Sequence, residues 1–434
     1  MKIAVIGSGV AGLGAAWALE GLHEVVLYEA ADRLGGHANT VTIDYDGARI
    51  DVDTGFIVYN EENYPNLRGL LSALDVETRL TDMSFACAGG GVEWSSNFPR
   101  GVFAQKRNLV RPDFLAMLND IRRFYAVARA DLLRGEFDDL TLGAWLKLRR
   151  FGGGFRDRFL LPMGAAIWST TEGGIGEFPA ESFLRFLQNH GLLQFKPPQW
   201  RTVIGGSRTY VGKIGAALGD SVRLNTAVTR VTRTEAGVIV RDSRGQDERF
   251  DQVILACHAP EAMAMLADAD PEERALLSAI RYAPNRAWLH RDPRLMPRRE
   301  QAWGSWNYVT DSDGKTDPYV TYWMNNLQGI DAARPLFVSL NGPTPDPALT
   351  FGAFDYEHPQ FDTAALAAQR RFGRIQGRGG VWYAGAWLGY GFHEDGVTSG
   401  VKAALALGGK IPWTFVDHRV ADVAATSAPL ATAA

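Results

Sequence analysis

The chain opens on a change of hydrophobic period. Lys2-Ile-Ala-Val-Ile-Gly7 is a run of buried-strand residues, Gly7-Ser-Gly9-Val-Ala-Gly12 interrupts it, a helical pattern follows from Leu13 to Leu22, and a second apolar run, Glu24-Val-Val-Leu-Tyr-Glu29, comes at once. This strand-turn-helix-strand unit predicts an α/β domain built on a parallel sheet. Asp46-Gly47 predicts a hairpin turn. Val222 to Val231 and Gly237 to Arg241 alternate like strands, Phe250 to Ala256 reads as a buried strand, and Val381 to Trp387 reads as another that ends in a turn. Phe114, Leu118, Ile121, Tyr125, Ala128 and Leu132 recur every three or four residues, the mark of an amphipathic helix. Val420 to Ala434 has no apolar period and predicts a disordered tail. There is no internal repeat.

The glycines of the first turn have distinct jobs. Gly7 permits the tight turn, Gly9 lets backbone approach a pyrophosphate beside Ser8, Val10 and Ala11, and Gly12 lets the helix lie close to the strand. The phosphates then meet the positive end of the helix. Glu29 lies 17 residues after Gly12, at the end of the second strand, where a carboxylate accepts hydrogen bonds from ribose hydroxyls. No second fingerprint of this kind is present, so the reducing equivalents are expected to come from the organic substrate and leave to oxygen, a quinone or another acceptor.

Composition narrows the partners. With 45 basic and 49 acidic residues the formal charge is −4, and no nucleic-acid partner is expected. Two cysteines, Cys87 and Cys257, supply neither a disulfide framework nor a thiolate metal site, and the sequence has no zinc helix, P-loop or serine elbow; no metal is expected. Lys2 and the uncharged stretch from Ile3 to Leu19 have the outline of a secretion signal, but Gly7, Gly9, Gly12 and Gly14 suit a nucleotide loop better. No segment approaches the roughly 20 apolar residues of a membrane span, so a cytoplasmic protein is expected. The −4 hides two basic stretches. Arg100, Lys106, Arg107, Arg111, Arg122, Arg123, Arg129 and Arg134 face only Asp113, Asp120 and Asp131, and six arginines lie between Arg281 and Arg299. The first is either a solvated helix face or a contact with a membrane surface.

Glu29-Ala30-Ala-Asp-Arg33-Leu-Gly35-Gly36-His37 resembles the continuation found in the flavin amine oxidase superfamily, and Asp51-Val-Asp53-Thr54-Gly55-Phe56 resembles the segment those enzymes lay along the flavin ring. Gly385-Ala386-Trp387, with Asp395-Gly396-Val397 opening a helix, is similar to their closing flavin motif. The resemblance implies non-covalent FAD in a Rossmann-type domain with an inserted α+β substrate domain. Arg33 would offer a cation to the pyrophosphate, and Val228 and Ala256 would lie at the adenine nucleotide. Relatives usually carry an acid where Ala386 stands, so ribityl recognition must differ, with Glu394 and Asp395 as alternatives. The division expected is a flavin domain from 1–60, 201–270 and 378–412, a substrate domain from 61–200 and 271–377, and a C-terminal tail from 413 to 434.

A closer resemblance runs through Val52 to Asn60, Leu161 to Trp168, Trp200 to Ser207 and Gly385 to Asp395: these are similar to a bacterial family of flavin-binding proteins related to the domain before the methyltransferase in plant cyclopropane fatty acid synthases. It implies a fatty-acyl or phospholipid substrate, oxidised or desaturated by hydride transfer to flavin. Trp168, Tyr390 and Phe392 would line the cavity, with Trp303, Trp306, Trp323 and Trp387 beside the same apolar substrate. His393 or Glu394 would move protons, and the Arg281 to Arg299 cluster would meet anionic head groups. His393 is equally readable as a structural histidine. Three alternatives stay open: an amine oxidase, although none of the eight lysines stands in the expected context; an FAD-assisted double-bond isomerase; and a non-catalytic FAD-holding partner of a lipid methyltransferase.

Overall fold

The computed structural model describes residues 1–417 except 136, 138, 139, 169–171, 195–197 and 311–316, and except the side chains of Trp168 and Glu172. At its centre is a five-stranded parallel sheet. Strand β1 (Lys2–Ile6) lies between β2 (Glu24–Tyr28) and Gln252–Leu255; Val222–Arg223 and Val381–Tyr383 form the edges. All these pairings are parallel. Helix α1 (Val10–Leu19) crosses one face and is buried nearly all round because the carboxy-terminal helix packs over it. The helix starts three residues earlier than the period predicts, since the glycine turn itself contributes its first turn.

The run Val222 to Val231 does not form one strand. Val222–Arg223 joins the parallel sheet, while Val228–Thr234 belongs to a separate three-stranded antiparallel sheet with Gly237–Asp242 and Asp247–Phe250. Strands β3 (Thr40–Tyr45) and β4 (Ala48–Asp53) form the expected hairpin, with Asp46 at φ 51° and Gly47 at φ 86°. Paired positive φ values match the twist of a two-residue hairpin turn.

A seven-stranded mixed sheet forms the second body. It runs Thr350–Gln360, Arg281–His290, Phe337–Leu340, Tyr319–Trp323, Trp306–Val309, Phe85–Gly89, Val92–Ser95, and thus joins segments far apart in sequence. Beside it lie α3 (Pro112–Arg134) and α4 (Ala180–Asn189), whose apolar faces share one core with Trp94, Trp145 and Trp306. Asp131, fully buried, accepts hydrogen bonds from Trp145 Nε1 (2.9 Å) and Arg149 (2.6 and 2.9 Å). Removing one partner of a buried ion pair costs about 3–5 kcal/mol. Asp131→Ala is expected to lower the denaturant midpoint accordingly, and an unchanged midpoint would contradict this role.

The domain edges differ from those expected. Helix α2 (Pro65–Ala73) packs Leu67, Leu70 and Leu71 into the core of the flavin-side body, and Ala365, Ala368, Phe372 and Ile375 join the core on the other face of the parallel sheet. Trp413 stacks on Trp17 at 5.7 Å, so 413–417 is packed chain; the tail expected over 420–434 lies outside the described residues. The Arg281 to Arg299 stretch is not a cationic patch. Arg281, Arg286, Arg291, Arg294 and Arg299 pair with Asp362, Asp355, Asp46, Asp292 and Glu93 respectively, leaving little charge for a head group. No described helix is long and apolar enough to cross a membrane.

Candidate functional site

The glycine turn sits at the carboxyl end of β1, where open α/β sheets bind ligands. Gly7 has φ +100°, and a Cβ there would lie 2.8 Å from the Ala256 carbonyl oxygen. A Cβ on Gly12 would stand 1.9 Å from the Gly7 oxygen, so these two glycines set the packing of helix on strand. Gly9 differs: a Cβ there would meet nothing within 4 Å. Its open face adjoins the first turn of α1, where the N–H groups of Val10, Ala11 and Gly12 precede the first intrahelical bond, Leu13 N to Gly9 O. Gly36, at φ +55°, comes close enough for its Cβ to stand 3.2 Å from Gly9 Cα.

The acid and the loop around it are knitted to this turn. Glu29 accepts from Ser8 N (2.9 Å), Ser8 Oγ (2.5 Å) and Ala31 N (2.8 Å), while Gly35 N donates to Ser8 O. Asn225 N and Thr226 N donate to Ala31 O and Glu29 O, which brings the start of the Val228–Thr234 strand beside β2; Val228 itself pairs with Asp242. Ala30 and Arg33 are exposed. The Arg33 guanidinium donates to the carbonyls of Leu34 and Gly36 and makes no ion pair among the described residues, so its charge is not neutralised there. An open glycine face at a helix amino terminus, a carboxylate at the end of the second strand and an unneutralised arginine fit a dinucleotide.

At the other end of the site, Thr54 N and Phe56 N donate to Asn39 O and His37 O. Gly55 lies so close that a Cβ would stand 2.2 Å from the His37 oxygen. The Thr54 hydroxyl is buried against Tyr356 (2.7 Å) and so contributes backbone, not side chain, to the open face. The Phe56 ring stacks on His393 at 3.6 Å, and His393 Nε2 is 3.1 Å from the Tyr210 hydroxyl. Neighbouring Asp53 is buried and ties Thr40, Ser207 and Gln328 together.

His393 begins helix α6 (His393–Ala406; α5 is Arg208–Leu218). Gly396 and Gly400 let α6 press on α1, since their Cβ atoms would stand 2.5 Å from Val10 Cγ1 and 2.0 Å from Ala11 O; Val397 is buried in that seam. A Cβ on Gly385 would stand 2.2 Å from Trp387 Nε1, and Gly385 N donates to Ser399 Oγ (2.9 Å), beside half-buried Ala386. Two expectations fail here. Glu394 does not face the site with His393; it is 4% exposed and accepts from Asn66 N (3.0 Å), Asn66 Nδ2 (2.8 Å) and Leu67 N (2.8 Å), capping α2. Asp395 accepts from Tyr390 N (3.0 Å) and Phe392 N (2.9 Å), fixing the preceding loop.

That loop builds an aromatic wall with α4. Phe392 stacks on Phe186 (5.4 Å) and contacts His190 (4.6 Å), and Tyr390 stands edge-on to Phe186 (5.5 Å). Trp387 is not part of it: its ring is buried against Phe372, with Nε1 donating to Cys257 O. Trp306 and Trp303 are likewise packed, against Phe85 and against Trp323 and Phe337. The Trp168 side chain lies outside the described residues.

Sequence reasoning missed Tyr210, Phe186, His190 and a histidine group in which His37 lies 6.1 Å from His258 and 5.6 Å from His358. Only His37 carried a signal, its place after the glycine pair. Burial, with the neighbouring histidines adding to it, holds His37 down to about 3 and His358 to about 4; burial also holds His393 to about 3. His290, whose Nδ1 accepts from Asp292 N, is held to about 4 by burial. Unfolding frees these rings to bind protons below their ordinary 6.5, so the stability they give as neutral groups is present above that pH and is lost as the pH falls toward about 4, levelling once the folded rings also titrate. Denaturation of the flavin-free protein is expected to show this fall, steeper by up to about 1.4 kcal/mol per pH unit for each ring. A flat profile over that window would refute it.

A family model for flavin-containing amine oxidoreductases matches residues 10–290. A protein of Mycobacterium tuberculosis described as a flavin-containing monoamine oxidase, AofH, is 30% identical over 264 residues, covering 57% of this chain and 55% of that protein. The chain thus spans about half the length of this curated relative. Among solved structures, putrescine oxidase bound to putrescine matches with a TM-score of 0.67 at 17% identity, covering 94% of this chain and 99% of that one. A fatty acid isomerase from P. acnes that produces CLA matches with 0.63 at 17% identity over 93% and 98%. At such identities the likeness is one of fold.

Proposed function

This chain belongs to the flavin-containing amine oxidoreductase family and is an FAD-dependent oxidoreductase, and we propose that its substrate is a long acyl chain, free or on a phospholipid, which it desaturates. The observation that carries the reading is the uncharged aromatic wall of Phe186, Tyr390 and Phe392, with Glu394 and Asp395, the acids that come soon after it in the chain, bound to amide groups of Asn66, Leu67, Tyr390 and Phe392. A protonated amine would gain about 0.5–2 kcal/mol from cation–π contact with such rings but would find no carboxylate turned to it, whereas an apolar chain gains about 25 cal/mol for each Å² it buries.

FAD, when bound, would supply the acceptor for a hydride from one carbon of the chain. On this reading the second hydrogen leaves the adjacent carbon as a proton, and His393 takes it. With Nε2–H donating to the Tyr210 oxygen, the Nδ1 lone pair is the acceptor; burial holds the ring neutral through the neutral range, which leaves that lone pair available while making the ring a weaker base than a free imidazole. The aromatic wall orients the chain and excludes water. His393→Ala is expected to slow flavin reduction about 100- to 10,000-fold, Tyr210→Phe less, and the rate is expected to show no inflection from His393 between about pH 5 and 8.

Anaerobic mixing with saturated or unsaturated acyl phospholipids tests the substrate. Bleaching of the visible flavin band with formation of a new double bond supports the reading. Bleaching by primary amines alone overturns it in favour of an amine oxidase, and a moved double bond with no net reduction overturns it in favour of an isomerase.

A further inference from the structure

Helix α3, 23 residues long, turns to solvent Leu115, Asn119, Arg122, Ala126, Arg129 and Leu133. Spaced alternately by four and three residues, they fall within about 40° of one line along the helix. Leu115 is 43% and Leu133 87% exposed. None of the helix's acids shares the stripe. Asp113 is held by Arg111 and Arg158, Asp120 by Arg123, and Asp131 by Arg134 and Arg149, so the acids are spent on internal pairs. Arg122 and Arg129 make no ion pair among the described residues. At the amino-terminal end of the helix the same combination recurs: Phe98 and Val110, each 79% exposed, stand in one stretch with exposed Arg100 and Lys106, which also make no ion pair among the described residues. Glu136, Asp138 and Asp139 follow the helix, outside the described residues.

Single exposed leucines are ordinary on a protein surface; here Leu115 and Leu133 share one line of the helix with two arginines that make no ion pair among the described residues. Apolar anchors alternating with free cations, without an acid, complement a layer of anionic head groups over acyl chains. We propose that the α3 stripe and the 98–110 segment dock on a bilayer bearing anionic phospholipids, the arginines on phosphates and Leu115, Val110 and Leu133 in the headgroup boundary.

The placement favours exchange with the site. A recess of about 370 Å³ opens beside Arg129 and Leu133, lined also by Gln188, Gly191 and Leu193 of the segment that follows and ends α4. Gly191 adjoins His190, which packs on Phe392 in the aromatic wall. The recess and the aromatic wall thus share one stretch of chain, Gln188 to Gly191. Exchange with the site rests on the acyl reading above; the docking surface does not, and its test does not use turnover.

The FAD-loaded protein is floated with vesicles of phosphatidylcholine alone and with vesicles containing about one third phosphatidylglycerol. Binding is expected to the second only, and to weaken with added salt. Arg122→Gln/Arg129→Gln is expected to lower affinity about 30-fold, and Leu115→Ser/Leu133→Ser to lower it while leaving the salt dependence; both pairs are exposed, and unchanged flavin content and denaturation midpoint show that the fold is kept. Absence of binding to anionic vesicles, equal binding to neutral ones, or indifference to the arginine changes overturns the proposal. So does a dimer in sedimentation that the leucine variant converts to monomer, which makes the stripe an interface between copies.

Discussion

Gly12→Val is expected to produce a protein that neither holds FAD nor keeps its stability, whereas Gly9→Val loses FAD and keeps its fold. The two glycines are three residues apart in one turn, but their surroundings are opposite. A Cβ on Gly12 would stand 1.9 Å from the Gly7 oxygen, and relief requires α1 to lift away from β1 with the seam to α6 behind it. Overpacking of this kind costs typically 1–3 kcal/mol and occasionally more; with backbone on the other side and no side chain to yield, about 3 kcal/mol or more is expected, a large share of a typical domain's stability. Gly9 has φ −62°, open to any residue, and nothing within 4 Å of its Cβ. Its replacement costs the flavin-free protein only about 0.5 kcal/mol as a poorer cap, but places two methyl groups where a pyrophosphate meets the helix, so FAD affinity falls at least about tenfold. Urea midpoints of the flavin-free proteins and flavin titrations measure the two effects separately. If Gly9→Val binds FAD normally, the open face is not the phosphate site.

Glu394→Ala is expected to be strongly destabilising, and to do little to the chemistry of whatever protein folds. The carboxylate supplies acceptors to Asn66 N, Asn66 Nδ2 and Leu67 N while 4% exposed. Its removal strands donors at the first turn of α2 and opens a cavity between α2 and α6. Unmade buried bonds cost about 1–3 kcal/mol each where water cannot reach, and loss of the negative charge at a helix amino terminus adds about 0.3–1 kcal/mol. A fall of about 3–5 kcal/mol follows, with Glu394→Gln, which keeps one acceptor, losing about half. Flavin reduction by the folded fraction should stay within a few-fold of the parent, in contrast to His393→Ala. A hundredfold slowing in Glu394→Gln with unchanged stability would return the residue to a proton-carrying role.

These two adjacent residues show where the sequence stopped being informative. His393 and Glu394 are consecutive on a helix and so point about 100° apart; both are polar, ionisable and next to a flavin motif. What separates them is that α2, more than 300 positions away in the chain, lays its amino terminus against one of them, while Phe56 and Tyr210 close on the other. The arginines between Arg281 and Arg299 fail as a patch for a similar reason. Apart from Asp292 beside Arg294, their acids come from other segments, Asp46 among them at a separation of 245 residues, and no local pattern reveals such pairing. On α3 the period did show which face is buried, and the acids of that helix lie close by in sequence, so the excess of charge was visible beforehand; that its free arginines line up with Leu115 and Leu133 follows from the same helical period once the solvent side is known.

The cofactor was legible because its requirements are local: a tight turn, a bare backbone, a helix start and an acid, all within the first 29 residues, where covalent geometry fixes their spacing. The sequence by itself determined the α/β class, the hairpin at Asp46-Gly47 and the FAD cofactor, since each depends on backbone conformations that few residues can adopt. The tertiary structure decided which tryptophans are core, that α2 belongs with the flavin body, that Tyr210 holds His393, and that Phe186 and His190 face Tyr390 and Phe392. Those contacts join residues remote in the chain, and apolar burial is non-directional: it specifies that aromatic surface will be covered, and only the packed fold specifies by what.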